Sequence, residues 1–190
     1  MGRWEPGADG RLREAAMELY VECGYDQATV AEIAERAGVT ARTFFRHFAD
    51  KQEVLFSGST ELMDRTVAAV EAAPADATPL EAVAAGLDAA AEMLSGNREW
   101  SCQRQQLIEA HTDLRERELI KMADLAVAFA GALEGRGVSE PIARLVGETG
   151  IAVFKVAFER YVGEGGATHD LRTLMRTALD ELGTVVGPQR

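Results

Sequence analysis

The chain is poor in the residues that staple or interrupt a fold, with two cysteines and five prolines among 190 residues. Cys23 and Cys102 lie far apart, each inside an apolar helical pattern. That placement excludes a disulfide framework or thiolate metal site and reads both as small buried hydrophobes. No apolar run approaches the roughly 18 residues that a membrane span requires, and the opening MGRWEPGADGR has no apolar segment of the secretory kind. The expected location is cytoplasmic, with no membrane partner. Strict alternation of apolar and polar residues is almost absent, which excludes a sheet and leaves an all-α chain. No HExxH, glycine-rich phosphate loop or GxSxG occurs, and His47, His111 and His169 stand apart. No catalysis, metal or cofactor is therefore expected. Basic residues are in the minority, 20 against 31 acidic for a net charge of -11, and in bulk that balance opposes contact with a polyanion.

What the chain has is apolar spacing of three and four residues from Leu12 to Val186, the period of amphipathic helices. At 47% hydrophobic and 27% charged it can bury one core or two small coupled ones. Leu12, Ala15, Ala16, Leu19, Tyr20 and Cys23 form the first stripe, closed by Gly24. TVAEIAERAG follows, with Thr29 and Glu32 as a capping box and Gly38 as its stop. Val39 fills a tight turn, Thr40 caps again, ARTFFRHF makes a third short helix, and Asp50 with Glu53 offers another box. Longer helices are expected over 51–73, 79–95, 99–109, 113–134, 140–162 and 169–186, separated by AAPADATP, SGN, EGRGVSEP and GEGGAT. The expected organisation is a domain of short helices at 1–50 and a domain of longer helices at 51–190.

Residues 28–51, ATVAEIAERAGVTARTFFRHFADK, have the layout of a helix-turn-helix. At about 100° per residue, Phe44 and Phe48 share a face over Val39 and form its core side, while Arg42 and Arg46 point away. Phe45 stands between those arginines and cannot reach the face that Phe44 occupies. A ring flanked by guanidinium groups suits the major groove, where it packs on a thymine methyl while the arginines reach guanine or phosphate. The same trio would also suit the interface of a helical adaptor that binds protein. Charge favours the groove: residues 36–51 hold Arg36, Arg42, Arg46 and Lys51 against Asp50, a balance of +3 before His47 is counted. Residues 57–190 carry 13 basic and 21 acidic side chains, a balance of -8, which would turn the rest of the chain away from DNA.

Over Leu12–Phe56, with AGVTARTFFRHFADKQEVLF at its heart, the chain resembles the N-terminal domain of the TetR family of one-component regulators. The resemblance implies that Thr29, Thr40 and Lys51 touch phosphates, that Arg42, Thr43 and Phe45 face the major groove, and that Arg46 and His47 reach bases or backbone. Many members carry tyrosine where this chain has Phe45, so a hydroxyl-to-phosphate bond is missing and affinity leans on the arginines. The family also implies a palindromic double-stranded operator, a homodimer and a small-molecule effector. Such a chain is a ligand-responsive repressor, or in some members an activator.

Two later stretches fit those expectations. GIAVFKVAF at 150–158 is apolar almost all round, so its helix must be covered on more than one side, and Leu171, Leu174, Met175, Ala178, Leu179, Leu182 and Val186 offer a seam for a two-fold bundle. For the effector, Trp100, Arg104, Leu107, His111, Met122, Phe129, Phe154 and Phe158 combine apolar walls with a few polar groups, although such a stripe also suits a packed core. RQQLIEAHTDLRERELIKMADLA and VFKVAFERYV are similar to a mycobacterial-type TetR subgroup whose ligands include acyl-coenzyme A thioesters. Arg104, Arg115 or Lys121 could meet the phosphates of such a ligand, and a neutral hydrophobic drug or lipid would not need them. Coupling to DNA is expected to run through the helix beginning at Lys51.

Overall fold

The computed structural model describes residues 7–163 and 169–186, and among them are nine α-helices, one 3-10 helix and no strand. The expected GEGGAT break lies, beyond Gly163, outside the described residues, as do the first six residues and the side chain of Val186. The chain divides into two compact units, one comprising residues up to Gly58 together with Gln103–Arg115, the other Ser59–Cys102 together with Glu116 onward.

In the first unit, α1 (Ala8–Cys23) buries Leu12, Ala15, Ala16, Leu19 and Tyr20, the stripe read from the sequence. Cys23 departs from that reading. As the last residue of the helix it projects past the core and is exposed, its thiol directed at Leu19 O. The other cysteine, Cys102, is only half-buried. α2 (Val30–Arg36) and α3 (Ala41–His47) have seven residues each, far too few to persist alone. Packing holds them: Ile33 and Phe44 are fully buried, with Ala34 and Phe48 close behind. Burying a side chain such as Phe44 stabilises the unit by about 1.5–3 kcal/mol. Between the two helices the chain turns at Gly38 with φ 68°.

After α3 the expected long helix from Lys51 does not form. A 3-10 helix spans Glu53–Phe56, its start capped by Asp50, which accepts from the Glu53 amide at 2.8 Å. Gly58 then takes φ 86°, a conformation that no helix interior accepts and that favours glycine. The next helix, α4, starts only at Ser59 and runs to Glu71. A coupling route through one continuous helix from Lys51 is thereby removed.

The second unit is built from α4, α5 (Pro79–Leu94), α8 (Glu140–Val162), α9 (Leu171–Val186) and parts of α6 (Arg98–Ala110) and α7 (Thr112–Gly135). Small residues let its backbones approach closely. A Cβ on Gly147 of α8 would stand 2.6 Å from Ala126 O of α7. Phe129 of α7 is fully buried, its ring set against Gly86 of α5 and Gly150 of α8. Two arginines tie off loose ends. Arg136 donates to the carbonyls of Glu71, Ala73 and Pro74 after α4, and Arg98 donates to those of Tyr161 and Gly163 at the end of α8.

Candidate nucleic-acid interface

The interface is built on α3, whose two sides differ sharply. Phe44 and Phe48 turn inward, and the first of them is 0% exposed. Phe45 is 58% exposed, its ring standing edge-on against Phe44 at 5.5 Å between centroids. The buried ring thus fixes the exposed one. Arg42, Arg46 and His47 are exposed beside it, and among the described residues no carboxylate pairs with either arginine. Helical spacing puts Arg42, Phe45 and Arg46 on one surface.

The caps occupy other expected contacts. Thr40 accepts from the Thr43 amide at 3.2 Å and shares a hydrogen bond with the Thr43 hydroxyl at 3.1 Å, which leaves Thr43 half-buried. Thr29 closes a full capping box on α2: its hydroxyl accepts from the Glu32 amide and donates to the Glu32 carboxylate at 2.7 Å. Those bonds to Thr29, together with Arg36, hold the Glu32 carboxyl below its ordinary range. The Thr29 hydroxyl proton is accordingly committed inside the protein.

Lys51 is more fully committed. Its ammonium donates to the carbonyls of Tyr25 at 2.7 Å, Ala28 at 3.1 Å and Asp26 at 3.2 Å, and lies 4.5 Å from the Tyr25 ring centre. Three acceptors use all three of its protons. Arg36 is likewise engaged, at 2.7 Å from Glu22 and 3.7 Å from Glu18 on α1. Its guanidinium belongs to the joint between α1 and α2, so the +3 balance read for residues 36–51 overstates the charge offered to a ligand. What α3 presents is narrower: two arginines, one ring and His47.

Around Lys51 lies a network that the sequence gives no sign of. Tyr20 donates its hydroxyl to Lys51 O at 2.6 Å, and Tyr25 packs edge-on against Tyr20 and against His111. Burial pushes the Tyr25 hydroxyl up to about 12, with Gln52 opposing and the Asp113 charge reinforcing the shift. Asp113 accepts from both Gln52 and Tyr25.

The eight residues expected to line an effector site fall into both units. Arg104, Leu107 and His111 belong to the first. Arg104 donates to Leu55 O at 2.8 Å and lies over the Phe56 ring, and His111 Nδ1 is 2.8 Å from Leu107 O. Trp100, Met122, Phe129, Phe154 and Phe158 belong to the second. There Phe154 and Phe158 stack at 5.7 Å, Met122 and Phe158 are half-buried against the core, and Trp100 is half-buried. Of the other cations named for a phosphate-bearing ligand, Lys121 donates to the Ser59 hydroxyl and Arg115 to the Thr112 hydroxyl.

An all-α chain with a buried-backed, cationic helix after a glycine turn is of the helix-turn-helix class of DNA-binding regulators. Residues 12–57 match the bacterial regulatory proteins of the tetR family, and residues 77–187 match the MftR C-terminal domain. The chain belongs to the tetR family, with a C-terminal domain of the MftR kind. It is similar to the HTH-type transcriptional regulator TcmR of Streptomyces glaucescens, 44% identical over 75 residues that cover 40% of this chain and 33% of that one. The fatty acid metabolism regulator protein of Bacillus subtilis is 30% identical over 127 residues, 66% of this chain and 63% of its own. These matches therefore span from a third to under two thirds of the relatives' lengths. Among solved structures, the transcriptional regulator FadR from Bacillus subtilis in complex with stearoyl-CoA shares the fold, with a TM-score of 0.64 at 21% identity over 95% of this chain and 99% of that one.

Proposed function

We propose that this tetR-family regulator is a ligand-responsive repressor that binds a palindromic operator as a homodimer in the cytoplasm and is released by an acyl-coenzyme A thioester. The observation that carries the DNA-binding part is the side of α3 on which Phe45 stands exposed between Arg42 and Arg46 while Phe44 and Phe48 are buried behind it. Arg42 and Arg46 supply bidentate donors for guanine or phosphate, and the Phe45 ring supplies apolar contact for a thymine methyl.

Support for a dimer comes from α8. Ile142 and Leu145 are 52% and 68% exposed, and Val156 is exposed in the same register, with Thr149 and Ala152 completing a seam of alternating three- and four-residue steps. Such a seam is what a helix facing another helix presents. The seam expected on α9 is largely used within the chain, since Leu171 and Met175 are fully buried in its own core. The dimer reading therefore rests on the outer face of α8, with α9 contributing its exposed Val185. Support for the effector class is the shared fold with a FadR that holds stearoyl-CoA.

The test is a selection of bound sites from random duplex DNA with the whole protein, followed by addition of stearoyl-CoA. Enrichment of a two-fold symmetric sequence whose complex dissociates with the thioester supports the reading. Absence of any enriched duplex overturns the DNA-binding part, and a complex that ignores stearoyl-CoA overturns the effector.

A further inference from the structure

We propose that Asp113, the second residue of α7, is a positioning residue for operator binding: it fastens together the two ends of the helix-turn-helix. This rests on the reading of α3 as the DNA-contacting helix. One carboxylate oxygen, Oδ2, accepts from Gln52 Nε2 at 2.5 Å and from the Tyr25 hydroxyl at 3.3 Å. Tyr25 lies in the loop that leads into α2, and Gln52 lies in the segment that leaves α3. The same two segments are joined a second time by Lys51, through the carbonyls of Tyr25, Asp26 and Ala28, and a third time by Tyr20 on Lys51 O. Entry and exit of the motif thus meet in one polar network. Asp113 is its distant member, 61 positions from Gln52 and 88 from Tyr25.

A helix of seven residues cannot set its own direction, so the aim of α3 depends on what fixes its two ends and on the buried side of Phe44. Preorganising that aim raises affinity because less order must be imposed on binding. Tyr25 is only 4% exposed, so its hydroxyl has few other partners if the carboxylate is removed. His111, two residues before Asp113, packs its ring on Tyr25 at 4.7 Å and holds the tyrosine against the same corner.

Charge and hydrogen bonding make opposite predictions for this residue. As a charge, Asp113 repels a polyanion, and neutralising it should tighten DNA binding. As an acceptor it orders the motif, and removing it should weaken binding. Asp113→Asn and Asp113→Ala lose the same charge, but only asparagine keeps an oxygen for Gln52 and Tyr25. With the full-length protein and the duplex that it selects, at one salt concentration, Asp113→Asn is expected to stay within about threefold of wild type. Asp113→Ala is expected to bind about five- to twentyfold more weakly, the loss of one or two hydrogen bonds. Asp113→Ala/Gln52→Leu should be no weaker than Asp113→Ala alone. An alanine variant that binds as tightly as the asparagine variant, or a double variant whose losses multiply, overturns the proposal. Hydrogen exchange without DNA gives an independent reading: amides of Thr29–Phe48 should exchange faster in Asp113→Ala than in Asp113→Asn, while those of α5 and α8 keep their protection. Equal protection of Thr29–Phe48 in the two variants overturns the proposal as well. If the wild-type protein selects no duplex, the DNA-binding reading falls, while exchange still decides the part played by Asp113.

Discussion

The two compact units hold themselves together by different means. In the second, backbones close on one another at Gly86 and Gly147, Gly150 makes room for the Val83 and Phe129 side chains, and Phe129 fills the space between α5, α7 and α8. In the first, two seven-residue helices are seated by directed polar ties: Lys51 on three carbonyls, Arg36 on Glu22, and Asp113 on Tyr25 and Gln52. The contrast teaches where precision comes from. Apolar packing in a large core fixes long helices through many contacts. A short helix that must offer one face to solvent has only its other face to bury, and charged donors on loop carbonyls make up the difference.

The contrast is broken most severely at the centre of the second unit. Phe129→Ala should cost about 3–5 kcal/mol, read as a large fall in thermal midpoint, because the ring leaves a cavity that the glycine-lined helices cannot fill. In the first unit the largest loss is expected from Lys51→Met, which keeps the chain length but leaves three loop carbonyls without their donor. About 1.5–3 kcal/mol is at stake there, and denaturant titration should place that loss in the first unit with α5 and α8 still protected. Gly147→Ala sharpens the other side of the comparison. Its Cβ would lie 2.6 Å from a backbone oxygen of α7, so the helices must part at a cost of about 1–3 kcal/mol, read as a lower urea midpoint.

The smallest effect is a titration. The buried Tyr25 hydroxyl has its pKa raised from 10.0 to about 12. Because the protonated form is favoured in the fold, its stabilising contribution is whole below pH 10 and is lost as pH climbs toward 12. Burial also raises the hydroxyls of Tyr20 and Tyr161, so tyrosinate absorbance of the native protein should rise late for all three tyrosines and at the ordinary pH in urea, and Tyr25→Phe should remove the step near pH 12.

Much of this was legible in the residue pattern. Periodicity placed α1 through Leu12 and Leu19 and gave a helix over 79–95 where α5 stands, the Thr29–Glu32 signal opened α2, and 100° steps separated Phe44 from Phe45. These are local rules, and the structure bears them out. The break at Gly58 was hidden because apolar spacing continues across it from Leu55 to Leu62. Cys23 continued the α1 stripe by spacing alone, and spacing does not say where a core ends. Lys51 and Arg36 counted as free charge because their partners lie 14 to 26 positions away or are backbone carbonyls, which carry no side-chain signal. Asp113 was more remote still, with partners 61 and 88 positions distant.

The central claim is that the Arg42–Phe45–Arg46 side of α3 meets duplex DNA. Its most direct measurement is the affinity of Arg46→Ala for the duplex that the wild-type protein selects, taken together with the variant's thermal midpoint. Removing an exposed guanidinium that reads a base should weaken binding by about 1–3 kcal/mol, tenfold or more, and leave the midpoint where it was. Unchanged affinity in a folded Arg46→Ala protein would contradict the claim.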